Sequence, residues 1–248
     1  MKISIITVVW NNDKTIKKAI ESVLNQSYKE IEYIIVDGQS SDKTVNIINS
    51  YGEKISKFIS EPDNGLYDAM NKGITLATGD VIGILNSDDF YENNSIIQNI
   101  IDEFQSRKVD IIYGDVVYVN PDNLEKIVRY YDSSKFNPLK FAYGWMPAHP
   151  SVFVKRHIYE KYGLFRTDLK IASDFDILAR LIYANNVSYG YINKVVVRMR
   201  TGGISSSFSN IFLIIKEQLK VCSDNHIDTN PLKICSKYFT KLPGFLKR

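Results

Sequence analysis

Cysteine is nearly absent from this sequence: Cys222 and Cys235 are the only two in 248 residues. They lie near the C-terminal end, match no metal-ligand spacing and require no disulfide framework. Charge of one sign is lacking too. Against 31 Lys and Arg stand 28 Asp and Glu, a formal net charge of +3, too small a surplus to attract nucleic acid by itself. No apolar run approaches the roughly 20 residues needed to cross a bilayer. The first ten residues are apolar, but they carry Lys2, offer no small-residue cleavage site and run straight into periodic structure, so they read as a strand and not as a signal peptide. A cytoplasmic protein is expected. Two phosphate-binding signatures are also missing. No Gly-x-Gly-x-x-Gly follows the first strand, which excludes the dinucleotide fingerprint, and no Gly-x-x-x-x-Gly-Lys-Ser/Thr exists, which excludes a P-loop. There is no internal repeat and no low-complexity segment.

What is present is a regular alternation of strand and helix patterns. Residues 3–10 form a continuous β-branched run, as a central parallel strand requires. Ile16, Ala19, Ile20, Val23 and Leu24 then recur at helical spacing. Strands are expected at 31–36, 57–60 and 81–85, with helices after Ser41 and over 66–77. This order predicts an α/β fold, a mostly parallel sheet with helices on both faces. Beyond residue 89 a further helix, built on Ile96, Ile97, Ile100, Ile101 and Phe104, leads into a mixed region of strands at 110–119, 127–131, 151–154, 187–191 and 195–199. Three parts are expected: residues 1–107, residues 108–205, and an extension over 206–248. In that extension Lys233, Lys237, Lys241, Lys247 and Arg248 alternate with Tyr238, Phe239, Leu242, Phe245 and Leu246. Such a segment suits either peripheral contact with an anionic membrane or a packing helix with solvated lysines.

The candidate chemistry begins at Val81–Asp89, where an apolar strand ends in two adjacent carboxylates. Two acids at a strand's carboxyl end are poorly accommodated by apolar core without a cation, and in open α/β sheets ligands bind at that end. Asp88 and Asp89 are therefore candidate metal ligands, against the alternative of a solvated Asp-Asp turn. Asp37 ends the second strand, where an acid can accept hydrogen bonds from a ribose or a base; Asp42 fits a helix cap better. Asp68 and Asn71 or Lys72 lie one helical turn apart and can frame a base or diphosphate, or simply a solvated face. His149, between Pro147 and Pro150, is a candidate metal or phosphate ligand, or a buried loop histidine. Asp174 stands at a helix start, where it can cap or act as a general base. Asp176, four residues before Arg180, reads as its structural partner.

Taken in order, several stretches resemble the glycosyltransferase family 2 catalytic domain. They are Ser4–Asn11, Val36–Asp42, Gly65–Gly73, Leu85–Asp89, His149-Pro150 and Ala172–Asp176. The resemblance spans about residues 2–200 and is closest to bacterial members that build capsule, O-antigen or exopolysaccharide. It implies a GT-A fold, and a nucleoside pocket lined by Thr7, Asn11 and Asp37. It further implies that Asn71 and Lys72 lie near base and diphosphate, that Asp88 binds Mg2+ or Mn2+, and that Asp174 is the base in a single inverting displacement. The donor would be a nucleotide sugar, with UDP the first expectation, and the acceptor a glycan or lipid-linked saccharide. Tyr143, Trp145 and His149 would lie toward the acceptor. The chain departs from the family pattern at Asn86, in place of the first Asp of Asp-x-Asp, and at Ser173, in place of Glu. Asn86 would weaken the metal site or contact ribose. These departures keep open a non-catalytic nucleotide-binding scaffold, and a nucleotidyltransferase is the other alternative.

Overall fold

The computed structural model describes residues 1–202 and 210–240, with side chains through residue 236. The β-branched run near the start forms strand β1 (Ile3–Val9), buried along its whole length. Helix α1 (Ile16–Leu24) buries Ile16, Ala19, Ile20 and Val23 on one face. Then come β2 (Ile31–Asp37), α2 (Thr44–Asn49), β3 (Lys57–Ser60), α3 (Leu66–Leu76) and β4 (Val81–Ile84). β1 pairs in parallel with β2 and with β4, and β2 with β3. These four strands make the parallel half of the sheet, and their carboxyl ends share one edge. Gly73 lets α3 lie close on β1: a Cβ there would come within 2.4 Å of Ile6 Cγ2.

The second half is mixed. It comprises β5 (Phe90–Tyr91), α4 (Ile96–Ser106), β6 (Ile111–Asn120), β7 (Asn123–Tyr131), β8 (Val152–Lys155), α5 (Arg156–Tyr162), α6 (Ser173–Leu178), β9 (Tyr189–Arg200), α7 (Ile211–Asp224) and α8 (Pro231–Thr240). Residues Ala179–Ala184 continue α6 as a π-helical stretch. Among the described residues the sheet order is β3-β2-β1-β4-β8-β6-β9-β5, with β7 paired to β6. β6 is the hub. Its first residues pair with β8, its later ones with β7, and its other edge with β9.

The α/β architecture with helices on both faces is as the sequence predicts; several local features are not. The strands expected at 187–191 and 195–199 are one strand, β9. The polar residues between them sit opposite a register shift at Asp115, so a bulge absorbs what reads as a turn. β5, α5 and α8 have short or weak patterns and are not evident in the sequence. Two apolar clusters cover the two faces of the sheet, as strand alternation requires. One includes Ile6, Ile34, Tyr67, Met70, Phe175 and Val221; the other includes Ile5, Ile35, Ile97, Ile100, Phe153 and Val196. Each draws on residues before and after 107. Val221, Cys222 and Ile227 belong to the first cluster, so α7 is packed into the body of the protein. The expected boundary at 205/206 and the basic residues 241–248 lie outside the described residues, and the side chains of Lys237, Tyr238 and Phe239 do too.

Candidate active site

Because β1–β4 run parallel, the loops after them meet at one edge. Asn11 follows β1 with φ of 46°, a left-handed conformation that asparagine tolerates better than most residues. Its backbone N–H donates to Ser40 Oγ at 2.7 Å, and its Oδ1 accepts the Ser41 N–H at 2.8 Å. Asn12 Nδ2 donates to Ser87 Oγ at 2.8 Å, and Thr15 Oγ1 to the Ser87 carbonyl at 2.9 Å. The loops after β1, β2 and β4 are thereby tied together. Asp37 is fully buried at the end of β2. It accepts the Ser40 N–H at 2.9 Å, the Ser60 hydroxyl at 2.7 Å and the Ser40 hydroxyl. Behind it, a Cβ at Gly38 would meet Asp63 Oδ2 at 2.5 Å, so a side chain there would displace the Asp63 carboxylate. Trp10 lies beside Gly38 as well and is 68% exposed.

The loop after β4 concentrates negative charge in a poorly solvated place. Asp89 is 1% exposed; its carboxylate accepts Asn86 Nδ2 at 3.0 Å and a backbone N–H of Arg200. Burial, and then the Asp88 charge, push the Asp89 carboxyl well above the usual range. Burial raises Asp88 too, with the Arg200 guanidinium opposing. Arg200, at the end of β9, donates to the Asp88 carbonyl and lies over the Phe90 ring at 5.4 Å. The Asn86 Oδ1 is buried and finds no hydrogen-bond partner among the described residues. Two carboxyls disfavoured as anions and an orphaned amide oxygen form an all-oxygen donor set, the kind that hard divalent cations such as Mg2+ and Mn2+ prefer. The residues present fit such an ion. Among the described residues, however, no group of three or more His, Cys, Asp or Glu side chains can hold a metal together. Additional oxygens would have to come from a ligand, as Mg2+ bound by one or two carboxylates plus substrate phosphates commonly requires.

Asp174 is the second residue of α6, and its Oδ1 accepts the Phe175 N–H at 2.7 Å. Tyr118 of β6 feels the charge of both Asp174 and the acid loop. The Tyr118 hydroxyl is raised by burial, and the charges of both Asp89 and Asp174 add to that while Arg129 opposes it. The charges of the acid loop and of the start of α6 thus both act on one phenol. Arg129 of β7 pairs across from Tyr118 and stacks over it at 5.2 Å, and over Tyr131 at 5.5 Å. Tyr67 of α3 reaches the same region; burial and the Asp174 charge raise its hydroxyl. Tyr67, Tyr118, Arg129 and Arg200 accompany the candidate residues without having been expected there. Only Arg200, ending a strand just before Gly202-Gly203, carried a signal that could have marked it.

Other expected residues stand elsewhere. Thr7 is completely buried, and its hydroxyl accepts from Tyr33 Oη at 3.1 Å. Its side chain lies in the core, because the β1 pleat turns odd-numbered residues toward Tyr33. Asn71 is committed to the backbone of Phe165, donating to its carbonyl at 2.8 Å and accepting its N–H at 2.9 Å. Lys72 directs its ammonium to the Pro62 carbonyl at 2.7 Å and to Glu61 at 2.9 Å. It lines an open groove of about 410 Å³ with Ile59, Asp68 and Leu76 on the flank of α3. His149 is 7% exposed, edge-on to Phe165 at 5.3 Å, and burial lowers it to about 4, so its ring is neutral. Trp145 is stacked between Tyr131 and Phe136, with the Lys140 ammonium 4.9 Å from its ring, while Tyr143 is exposed. Asp42 caps its turn by accepting the Thr44 N–H at 2.9 Å. Asp176 pairs with Arg180 at 3.3 Å, as expected, and also with Arg166 at 3.5 Å.

Comparison with known proteins bears on this edge. The model of the family described as Glycosyl transferase family 2 matches residues 4–163. An uncharacterised glycosyltransferase of Rickettsia typhi is 32% identical over 213 residues, covering 80% of this chain and 63% of its own length. This chain therefore spans less than two thirds of that relative. A PGL/p-HBAD biosynthesis glycosyltransferase of Mycobacterium bovis is 25% identical over 222 residues, 88% of this chain and 82% of that one. Among solved structures, residues 1–349 of S. aureus TarS in complex with UDP-GlcNAc superpose with a TM-score of 0.71. The identity is 17%, over 97% of this chain and 73% of that one. A mannosyltransferase of Pyrobaculum calidifontis in complex with GDP-Man and Mn2+ gives a TM-score of 0.67 at 15% identity, over 99% and 73%.

Proposed function

Since the chain belongs to glycosyl transferase family 2 and has the GT-A fold of its structural neighbours, we propose that it is an enzyme transferring a sugar from a nucleoside diphosphate to an acceptor hydroxyl. The donor is a UDP-sugar, which the UDP-GlcNAc held by the S. aureus neighbour supports. The acceptor is a glycan or lipid-linked saccharide of a cell-surface polymer. The observation that carries this reading is the loop after β4: half-buried Asp88 and buried Asp89 with raised carboxyls, an unpartnered Asn86 Oδ1 and Arg200 beside them. That loop has the composition of a divalent-cation and diphosphate site at the carboxyl end of a parallel sheet.

In this reading Asp88 and Asn86 hold Mg2+ or Mn2+, which when bound supplies neutralising charge to the diphosphate leaving group. Asp89 braces the loop through its hydrogen bond from Asn86. Arg200 adds positive charge beside the same phosphates. Asn11 and Asp37 order the edge on which the nucleoside rests. Asp174 accepts the proton of the acceptor hydroxyl as its oxygen attacks the anomeric carbon, with inversion. His149 stays neutral beneath the acceptor side. Family membership sets aside the nucleotidyltransferase alternative. Asn86 and Ser173, the latter fully buried with its Oγ unpartnered among the described residues, are the features that favour a non-catalytic scaffold; metal-dependent hydrolysis of a UDP-sugar, if observed, would decide against it. No helix among the described residues is long and apolar enough to cross a membrane. Peripheral contact through the basic C-terminal residues is part of the proposal.

The test is calorimetric titration with UDP and Mn2+, preceded by a thermal-shift screen of UDP-, dTDP- and GDP-sugars. Asp88→Ala is expected to abolish the Mn2+-dependent part of UDP binding. Identical titrations for both proteins would refute the assignment of the acid loop.

A further inference from the structure

We propose that Glu217, on the C-terminal helix α7, is a positioning residue for Asp174; this rests on the reading of Asp174 as the base. The Glu217 carboxylate accepts three successive backbone N–H groups: Lys170 at 2.8 Å, Ile171 at 2.9 Å and Ala172 at 2.9 Å. Its side chain is buried. Consecutive amides converging on one anion form a small nest, and charge-assisted hydrogen bonds of this kind are stronger than neutral ones. Ala172 is the residue before α6, and its carbonyl accepts the helix's first bond, from the Asp176 N–H at 2.9 Å. Asp174 is two residues past the last amide that Glu217 holds.

The same peptide is held from the other side. Tyr67 of α3 donates its phenol to the Ile171 carbonyl at 2.6 Å. Upstream, Asn71 ties both backbone groups of Phe165, and Arg180 donates to the Leu164 carbonyl at 2.6 Å. The segment leading to Asp174 is thus fastened by side chains from α3, from the π-helical stretch and from α7. A misplacement of about 1 Å at a reacting group can reduce turnover ~10²-fold. What Glu217 fixes is therefore the place of the Asp174 carboxylate relative to the acceptor, while the donor edge is built by β1–β4. The helix that reads in the sequence as part of an appended extension becomes part of the transfer machinery.

Glu217→Gln keeps the shape but turns one acceptor oxygen into an amide donor facing other donors. Turnover is read as UDP release from the UDP-sugar that the screen selects. We expect kcat to fall at least ~10-fold, with the donor KM and the Kd for UDP within about twofold of wild type, and faster hydrogen exchange at residues 170–172. Glu217→Asp, which retains the carboxylate, should recover part of kcat. In an Asp174→Asn background, Glu217→Gln should lower the residual rate no further, since both changes act through one group. Wild-type kcat in folded Glu217→Gln, beside an impaired Asp174→Asn, overturns the positioning role. So does a fall in kcat that persists undiminished in the Asp174→Asn background. Near-normal turnover by Asp174→Asn overturns the base reading instead. Should the Gln variant fail to fold, a Glu217→Asp protein with faster hydrogen exchange at residues 170–172 yet wild-type kcat overturns the proposal.

Discussion

Two acid sites at opposite ends of the parallel strands, Glu32 and the Asp88-Asp89 pair, are treated in opposite ways. At the amino end, Glu32 of β2 is 4% exposed and surrounded by donors. It accepts the Ser4 hydroxyl at 2.6 Å, the Thr78 N–H at 2.7 Å, the Thr78 hydroxyl at 2.8 Å, and ammonium groups of Lys2 and Lys57 at 3.2 Å each. Burial opposes its ionisation, but these hydrogen bonds outweigh burial and hold the carboxyl well below the usual range. At the carboxyl end, Asp88 and Asp89 have few donors for their burial, and both carboxyls are raised. The same chemical group is a staple where its lone pairs are filled, and a reservoir of unsatisfied charge where they are not. The second condition is what a cation-dependent ligand relieves.

The contrast makes distinct predictions for activity and stability. The largest effect belongs to the candidate base: Asp174→Asn should lower transfer by at least ~10²-fold with UDP affinity largely retained. Steady-state kinetics beside calorimetry checks this, and near-normal transfer would remove Asp174 from its role. At the amino end the effect should fall on stability alone. Glu32→Gln should lose about 2 kcal/mol at pH 7, because hydrogen bonds to a charged group are stronger than to a neutral one, while kcat of the folded fraction is unchanged. The pH dependence carries its own sign. A carboxyl lowered by folding stabilises above its unfolded pKa of about 4.3, and that contribution is lost as pH falls toward the folded value. The gap between wild type and Glu32→Gln in denaturant melts should therefore narrow below about pH 4 and stay constant from pH 6 to 8.

Asp89 should behave in the opposite sense, with the smallest effect. A raised carboxyl favours the folded state below its unfolded pKa of about 3.9, and this is lost as pH rises through the folded value. Asp89→Asn should raise the Tm of the ligand-free protein by about 2 °C at pH 8 and by less at pH 4. An Asp89→Asn protein that melts lower at pH 8 would show that the acid loop is as well satisfied as Glu32, and would erase the contrast.

Legibility in the sequence followed the range of the interactions. The β-branched run of β1 and the helical spacing of α1 and α4 are local, so the α/β order could be read directly. The acid pair ending β4 was legible for the same reason: two carboxylates after an apolar strand are conspicuous in any fold. The partners of Thr7, Asn71 and Lys72 could not be read in the sequence, because they come from other segments of the chain. Tyr33 claims Thr7, Phe165 claims Asn71, and Glu61 with Pro62 claims Lys72. Tyr118 and Arg129 were invisible because their pairing depends on the irregular β6–β7 register.

What the sequence determined by itself was periodicity, and with it the strands, the helices and the carboxyl-end acids, since these follow from side-chain spacing along a few turns of chain. What only the tertiary structure decided was which polar groups are satisfied. Glu32 is filled and Asn86 Oδ1 is not, and α7 reaches back to hold the amides before Asp174. Hydrogen bonds are short and directional, so whether a buried group has its partner depends on angstrom-scale placement of segments distant in the chain, and composition carries no trace of that.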